Sequence, residues 1–251
     1  RLRAMHLTAD PLLLLAALAF LVPWASLASA LRRSYYAARL WLLRARMGRI
    51  LDAKVLVYAA PMERRDTWPL ARDIVRAGIE PARDLFVVID TRGGDISAGL
   101  QIMRALAGHR GRVTVVVPDE CWSAGTLAAL GADCVMLAPT ANLGFCDAIL
   151  HDDPATMMAG PIATAMELGE SVERVRSRHS LRDIADEVMR ARMAQGDSRM
   201  QAQQLAANMV HADADHWHPI FIERARSLGL QVTSLSGDNW ARLVHYAGWA
   251  R

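Results

Sequence analysis

The chain has 251 residues, 53% hydrophobic and 22% charged, with a formal net charge of +3. That length allows one soluble domain of about 200 residues plus an appendage. The basic residues gather early in the chain and form no groove-like stripe, so nucleic-acid binding is not expected. Cys121, Cys134 and Cys146 lack C-x-x-C spacing. They suggest neither a disulfide framework nor a zinc site, and read as small buried hydrophobes in a reducing compartment.

In chain order, Pro11–Leu31 is a run of 21 residues without a charge. As a helix it is about 31 Å long and matches a hydrocarbon core, with Trp24 near an interface and Pro23 compatible with a kink. A cleaved signal peptide is the rival, with Arg1 and Arg3 as n-region and Ala28-Ser29-Ala30 as cleavage site. Six arginines (Arg32, Arg33, Arg39, Arg44, Arg46, Arg49) follow within twenty residues. Such a cluster resists translocation, so an anchor with a cytoplasmic C-terminal domain is expected. Residues 1–50 are thus a single-pass membrane anchor with a basic juxtamembrane helix, and residues 51–251 the domain. Residues 34–49 suit a helix on the membrane surface or continuing the span, and equally a linker helix packed on the domain.

From Ala53 onward β and α patterns alternate. Lys54–Ala59 reads as a strand, Trp68–Ala77 as a helix, and Leu85–Asp90 as a continuous apolar strand. Ile96–Leu106 has helical apolar spacing. Val113–Pro118 is a buried strand, Ser123–Leu130 a helix and Cys134–Leu137 another strand. Strands this apolar, separated by helices, predict an α/β fold with a mainly parallel sheet covered on both faces. Leu181–Met209 reads as helix broken near Gly196-Asp197, and Pro219–Leu228 as a helix stopped by Gly229.

Ligands of parallel α/β sheets bind beyond the carboxyl ends of strands, and two turns there carry chemistry. After LFVVID comes Thr91-Arg92-Gly93-Gly94-Asp95, where paired glycines permit close approach and outward N–H groups, as an oxyanion hole requires. After VTVVVP comes Asp119-Glu120-Cys121-Trp122-Ser123-Ala124-Gly125-Thr126. Ser123 before small residues at a helix start suits an exposed nucleophile, with the Ala124 N–H free to help. On the residues alone it suits an N-cap equally.

The string VVIDTRGGDISAGLQIMRAL followed by VTVVVPDECWSAGTLAALGADCVMLAPTANLG resembles the Clp protease and crotonase superfamily. Within it the chain is most similar to the serine dehydrogenase proteinase family, membrane-linked relatives of Clp protease and signal peptide peptidase A. The family's HTPGG, SGGT, GPVDPQ and THDYPI correspond to DTRGG (90–94), SAGT (123–126), GFCDAI (144–149) and DHWHPI (215–220). FIERARSLGL (221–230) matches the helix that follows. The resemblance spans about Val55 to Val232 and is thin between His151 and Val210. It implies a ClpP/crotonase-like spiral of βαβ units and a serine endopeptidase.

The family's serine, aspartate and histidine carry over to Ser123, Asp147 and His216. A histidine takes the serine proton, and a carboxylate holds the imidazole in its tautomer. Gly94, Ala124 and Gly93 supply the oxyanion donors the resemblance implies. Arg92 replaces the family's proline and Ala124 a glycine, while Cys146 and Ala148 interrupt the prolines around Asp147. Signal peptide peptidase A and its kin use a lysine downstream of the serine. Here the only lysine, Lys54, lies upstream, and Arg190, in the nearest equivalent region, stays protonated.

His218 is an alternative base, since H-x-H on an extended segment shares a face. Asp147 also reads as a turn residue. The cluster of His211, Asp213, Asp215, His216 and His218 lacks H-E-x-x-H spacing, so no metal and no cofactor is expected. The expected partners are a protein or peptide substrate, the membrane, and further copies of the chain in a homo-oligomer. Two rival functions stand beside the peptidase: a catalytically silent membrane scaffold, and acyl-CoA chemistry. The second has no role for the serine and lacks an acidic pair.

Overall fold

The computed structural model describes residues 11–79, 83–146, 172–210 and 218–235, with Trp240, Arg242 and His245; residues 11–25 and 172–180 are described as backbone only. The elements in order are α1 (Pro11–Leu51), β1 (Ala53–Ala59), α2 (Arg64–Ala77), β2 (Asp84–Asp90), α3 (Ile96–Ala107), β3 (Val113–Val117), β4 (Glu120–Cys121), α4 (Ala124–Ala129), β5 (Cys134–Leu137) and β6 (Asn142–Leu143). Then come α5 (Val172–Ala194), α6 (Arg199–Met209), α7 (Ile222–Ser227) and β7 (Val232–Ser234).

Five strands form one parallel sheet in the order β1-β2-β3-β5-β7, in the register Leu56↔Val87↔Val115↔Val135↔Val232. Each strand sits beside its predecessor in this sheet, as helical crossovers demand. The expected mainly parallel α/β architecture is therefore what the chain forms.

Continuous apolar strands make sense because both faces are covered. Leu85, Val87, Ile89, Val113, Val115 and Val117 face the main core with Leu70, Ile74, Ile102, Met103 and Leu106 from α2 and α3. The intervening residues, Val88 and Val116, face the opposite side, where Met47, Leu235 and Trp240 join them. That period of two is the strand's own geometry. Leu40, Leu43, Met47 and Leu51, one helical stripe of α1, close this second face, and Arg44 Nε donates to the Val55 carbonyl (3.0 Å). The C-terminal part of the arginine-rich helix is thus a packed element of the domain. Among the described residues no helix is long and apolar enough to cross a membrane; most of the expected span falls in 11–25, whose side chains lie outside that description.

Beyond their carboxyl ends the strands continue into a second, smaller tier. β4 pairs in parallel with β6, and isolated bridges join Met62 to Gly94, Thr91 to Cys121 and Leu143 to Ile220. This ladder runs across the end of the main sheet and carries the glycine and serine turns side by side.

Some elements differ from the sequence reading. α2 begins at Arg64, a turn earlier than the apolar spacing indicates, because its first residues are mostly solvent-facing arginine and aspartate. α5 starts at Val172 for the same reason: its opening, VERVRSRHS, is mostly charged or polar. β4, β6 and β7 are two or three residues long, too short for any periodicity to register.

Candidate active site

β2 ends at Asp90, and the chain crosses the tier through Thr91 into Gly93 and Gly94. Both glycines have positive φ, +95° and +147°, a region open at low cost only to a residue without a side chain. Met62 holds the turn from one side: its N–H donates to Gly93 O, and the Asp95 N–H donates to Met62 O, both at 2.8 Å. The serine turn holds it from the other. A Cβ at Gly93 would stand 2.7 Å from Trp122 O, 2.9 Å from Ser123 Cβ and 3.3 Å from Ala124 N. Only a bare Cα lets the two turns meet.

Ser123 itself has φ +50° and ψ −116°, a strained conformation for a residue with a side chain. The strain is imposed by both sides of the turn. Thr91 N–H donates to Glu120 O (2.8 Å), Trp122 N–H to Thr91 O (3.0 Å), Gly125 N–H to Trp122 O (2.8 Å) and Leu127 N–H to Ser123 O (3.0 Å). A sharp, strained strand-to-helix turn that projects a serine is the geometry of a nucleophile elbow. Close packing of α3 on α4 supports it from behind, since a Cβ at Gly99 would lie 2.5 Å from Ala124 O.

The three expected oxyanion donors divide. Gly93 N–H is given to the Thr91 hydroxyl at 3.2 Å. Among the described residues, neither the Gly94 nor the Ala124 N–H is given to an acceptor. The Ser123 hydroxyl likewise has no hydrogen-bond partner among them and is part-exposed.

Asp147 and His216 lie outside the described residues. The segments that flank them run along the serine turn. β6 pairs with β4, and Gly144 N–H donates to Cys121 O (3.2 Å) and to Thr126 Oγ1 (3.3 Å). The Cys146 sulfur lies 3.7 Å from Ser123 O. Ile220 exchanges two hydrogen bonds with Leu143, at 3.0 and 2.8 Å. His218, the alternative base, precedes this bridge by two residues and is exposed.

Thr126 and Thr91 are contributors that the sequence reading passed over. Thr126 is fully buried; its hydroxyl donates to Cys121 O (2.6 Å) while accepting from Gly144, tying the serine helix to the strand that leads to Asp147. Thr126 is the last residue of SAGT, so the motif held the signal. Thr91 was not singled out, since a threonine at a strand end has many structural uses.

Charges at the mouth are largely self-contained. Arg92 Nε pairs with Glu120 Oε1 at 2.7 Å, linking the two turns across the ladder. Burial pushes the Asp90 carboxyl above its ordinary value; a hydrogen bond from the Glu120 N–H opposes this, and the charges of Asp119 and Glu120 reinforce it. Burial also pushes the Cys121 thiol well up, with Cys146 and Asp90 adding to it. Cys121 therefore stays a thiol and is no nucleophile. Arg190 sits on α5, paired with Glu187 at 2.5 Å. Among the described residues no group of three or more His, Cys, Asp or Glu side chains is placed to hold a metal.

A parallel sheet whose ends carry a glycine turn pressed on a serine turn is the architecture of the ClpP-like class of folds. Residues 66–245 match the family described as ClpP-like SDH-type serine proteinase, and the chain belongs to that family. It is similar to two uncharacterized proteins of Methanocaldococcus jannaschii. One is 28% identical over 187 residues, 70% of this chain and 63% of that protein. The other is 26% identical over 157 residues, 59% and 51% of the two chains. The chain thus spans between half and two thirds of these curated relatives. Among solved structures it is similar to the 1510-N membrane-bound stomatin-specific protease, in a serine-to-alanine variant, with TM-score 0.50, 17% identity and coverage of 74% and 80%. A ClpP1 of Listeria monocytogenes gives TM-score 0.48 at 13% identity, covering 76% of this chain and 96% of that one. At these identities the structural likeness is one of fold.

Proposed function

We propose that this chain is a membrane-anchored serine endopeptidase in which Ser123, His216 and Asp147 form the catalytic set. The Ser123 oxygen attacks a peptide carbonyl and passes its proton to His216. Asp147 holds the imidazole in the accepting tautomer. The carbonyl oxygen becomes an oxyanion held by the Gly94 and Ala124 N–H groups. His216 then returns the proton to the departing amine as the C–N bond breaks, and water, deprotonated by the same imidazole, hydrolyses the acyl-enzyme. No cofactor enters the scheme. The observation that carries it is Ser123: φ +50° in a turn braced on both sides, beside two N–H donors that have no acceptor among the described residues.

In this reading residues 1–50 anchor the chain and residues 51–251 form the cytoplasmic domain, with the docked end of α1 fixing how far the domain stands from the bilayer. Leu40 lies nine positions beyond Leu31, the end of the apolar run, roughly 13 Å of helix. The substrate is a peptide or protein, and the working form is a homo-oligomer. A fluorophosphonate probe on the intact chain tests the chemistry. Labelling that vanishes in Ser123→Ala and falls in His216→Ala supports the proposal; a folded chain that never labels sinks it and favours the silent scaffold.

A further inference from the structure

α1 has two apolar faces, and the domain covers one of them. Leu40, Leu43, Met47 and Leu51 pack on the sheet. At about 100° per residue, Leu31, Tyr35, Ala38, Leu42 and Ala45 fall on the opposite side of the helix. That side is bare: Leu31 is 62% exposed, Tyr35 56%, Trp41 67% and Leu42 54%, and Ala28, Ala38 and Ala45 are exposed as well. Its spacing suits another helix. Ala28, Leu31, Tyr35, Ala38, Leu42 and Ala45 follow one another at alternating intervals of three and four, the a/d repeat of a coiled coil. With Ala28, Tyr35 and Leu42 at a, the e positions are Arg32, Arg39 and Arg46, and the g positions are Leu27, Ser34 and Trp41. The repeat stops at Arg49, which takes the next a position.

Continuity and charge select the occupant. α1 is one unbroken helix from Pro11 to Leu51, so Leu42 stands about 16 Å beyond Leu31, where the apolar run ends. A bilayer that holds the run does not reach Leu42 or Ala45. No carboxylate lies between Pro11 and Leu51, so the arginine edge of the seam must avoid its own kind. In an antiparallel pair e faces e, and arginines would line up against arginines. In a parallel pair e faces g: Arg39 and Arg46 of one copy meet Ser34 and Trp41 of the other, and Arg46 gains an aromatic face. Parallel is also the orientation that two copies anchored in one membrane must take. The domains, each docked on the far side of its own helix, point outward and leave the seam clear.

We propose that the free face of α1 is a pairing surface for a second copy of this chain, the two helices forming a short parallel coiled coil between the membrane and the domains. This rests on the anchored reading of residues 1–50, because so short a seam needs the high local concentration that a shared membrane supplies.

The full chain in phospholipid vesicles tests this, with flotation of the vesicles measured alongside. Leu31→Cys and Leu42→Cys place a thiol at d and at a, where a parallel pair sets each position opposite its own counterpart. Under copper–phenanthroline oxidation in air, both variants should form a disulfide-linked dimer. Ala37→Cys, exposed on the flank toward the domain, should not, nor should the parent, whose three cysteines are buried. Leu31→Glu combined with Leu42→Glu should raise the dissociation constant, read by energy transfer between labelled copies, by about tenfold or more. Both positions are exposed in the single chain, and an unchanged unfolding midpoint confirms that the variant folds. Chains that float with the vesicles yet cross-link at neither position, or at only one, would overturn the pairing and leave the anchor standing. Parent-like energy transfer by the double glutamate variant would overturn it too. So would a Leu42→Cys thiol that vesicles alone shield from a water-soluble maleimide, since the bilayer would then cover this face. Cross-linking at both positions without flotation would remove the anchor and uphold the pairing.

Discussion

Replacing Gly93 by alanine isolates how much of the site depends on two turns touching. Gly93 and Gly229 share nearly the same φ, +95° and +98°, so an alanine at either suffers a similar backbone penalty, about 1–2 kcal/mol. At Gly229 the added Cβ meets nothing within 4 Å, whereas at Gly93 it meets Trp122 O at 2.7 Å and Ser123 Cβ at 2.9 Å. Ordinary contact begins near 3.4 Å, so the serine turn must retreat by about half an ångström. A 1 Å misplacement costs about a hundredfold in rate, so half of that costs about tenfold. Gly229→Ala should therefore lower the unfolding midpoint by about 2–8 °C and leave fluorophosphonate labelling unchanged. Gly93→Ala should lower it further and slow labelling by about tenfold or more. Equal midpoints and equal labelling rates in the two variants would refute the claim that the glycine turn sets the position of Ser123.

Three further outcomes follow from the same geometry. Ser123→Gly removes the strain that Ser123→Ala retains, so the glycine variant should unfold about 1–2 kcal/mol later than the alanine variant, while neither labels; a glycine variant no more stable would deny the strain. His216→Ala should lose labelling and His218→Ala keep most of it, and the reverse pattern would transfer the base to His218. Burial alone would push the Glu187 carboxyl up, but hydrogen bonds from Arg190 and Arg104 together outweigh it and hold it below the ordinary value of 4.5. A lowered acid stabilises the fold above its unfolded pKa and loses that contribution as pH falls through its folded pKa. The margin of the parent over Glu187→Gln in chemical unfolding should thus be flat above about pH 4.5 and shrink below it, and it should stay under about 1 kcal/mol because both arginines are largely exposed. A margin that grows on acidification would contradict the assignment.

The strands and the two turns were legible in the sequence because their signals are local. LFVVI and VTVVV are apolar at nearly every position, as strands buried on both faces read. Gly93-Gly94 and Ser123 then fall where such strands end. What stayed hidden depends on contacts between distant segments. The docking of Leu40, Leu43 and Met47 on the sheet could not be told from a membrane-surface stripe, since both use one apolar face with arginines beside it. The short tier of β4, β6 and Ile220 has no period of its own; its pairing is set by the neighbouring ends of the main strands. Nor could the sequence tell that Gly93 gives its N–H to the Thr91 hydroxyl, while among the described residues the Gly94 and Ala124 N–H groups have no acceptor.

The fold also bears on groups that could compete with the proposed base, His216. Lys54 is the chain's only lysine and lies on β1, upstream of both turns. Arg190 is tied to Glu187, which also binds Arg104 near the end of α3. From Ile96, beside the glycine turn, to Arg104 is about 12 Å along that helix, so Arg190 belongs to the far end of the domain. His109 is bonded to Arg83 O on that same edge, and His245 stacks edge-on against Tyr36 of α1, 6.0 Å between ring centroids. Cys121 is held as a thiol by its burial. Segment 211–218, by contrast, ends two residues before Ile220, whose double hydrogen bond to Leu143 enters the serine tier directly. Three histidines ride on that segment, His211, His216 and His218. The proposal rests on the family resemblance that carries a histidine over to His216, and the exchange of His216 with His218 is the informative comparison.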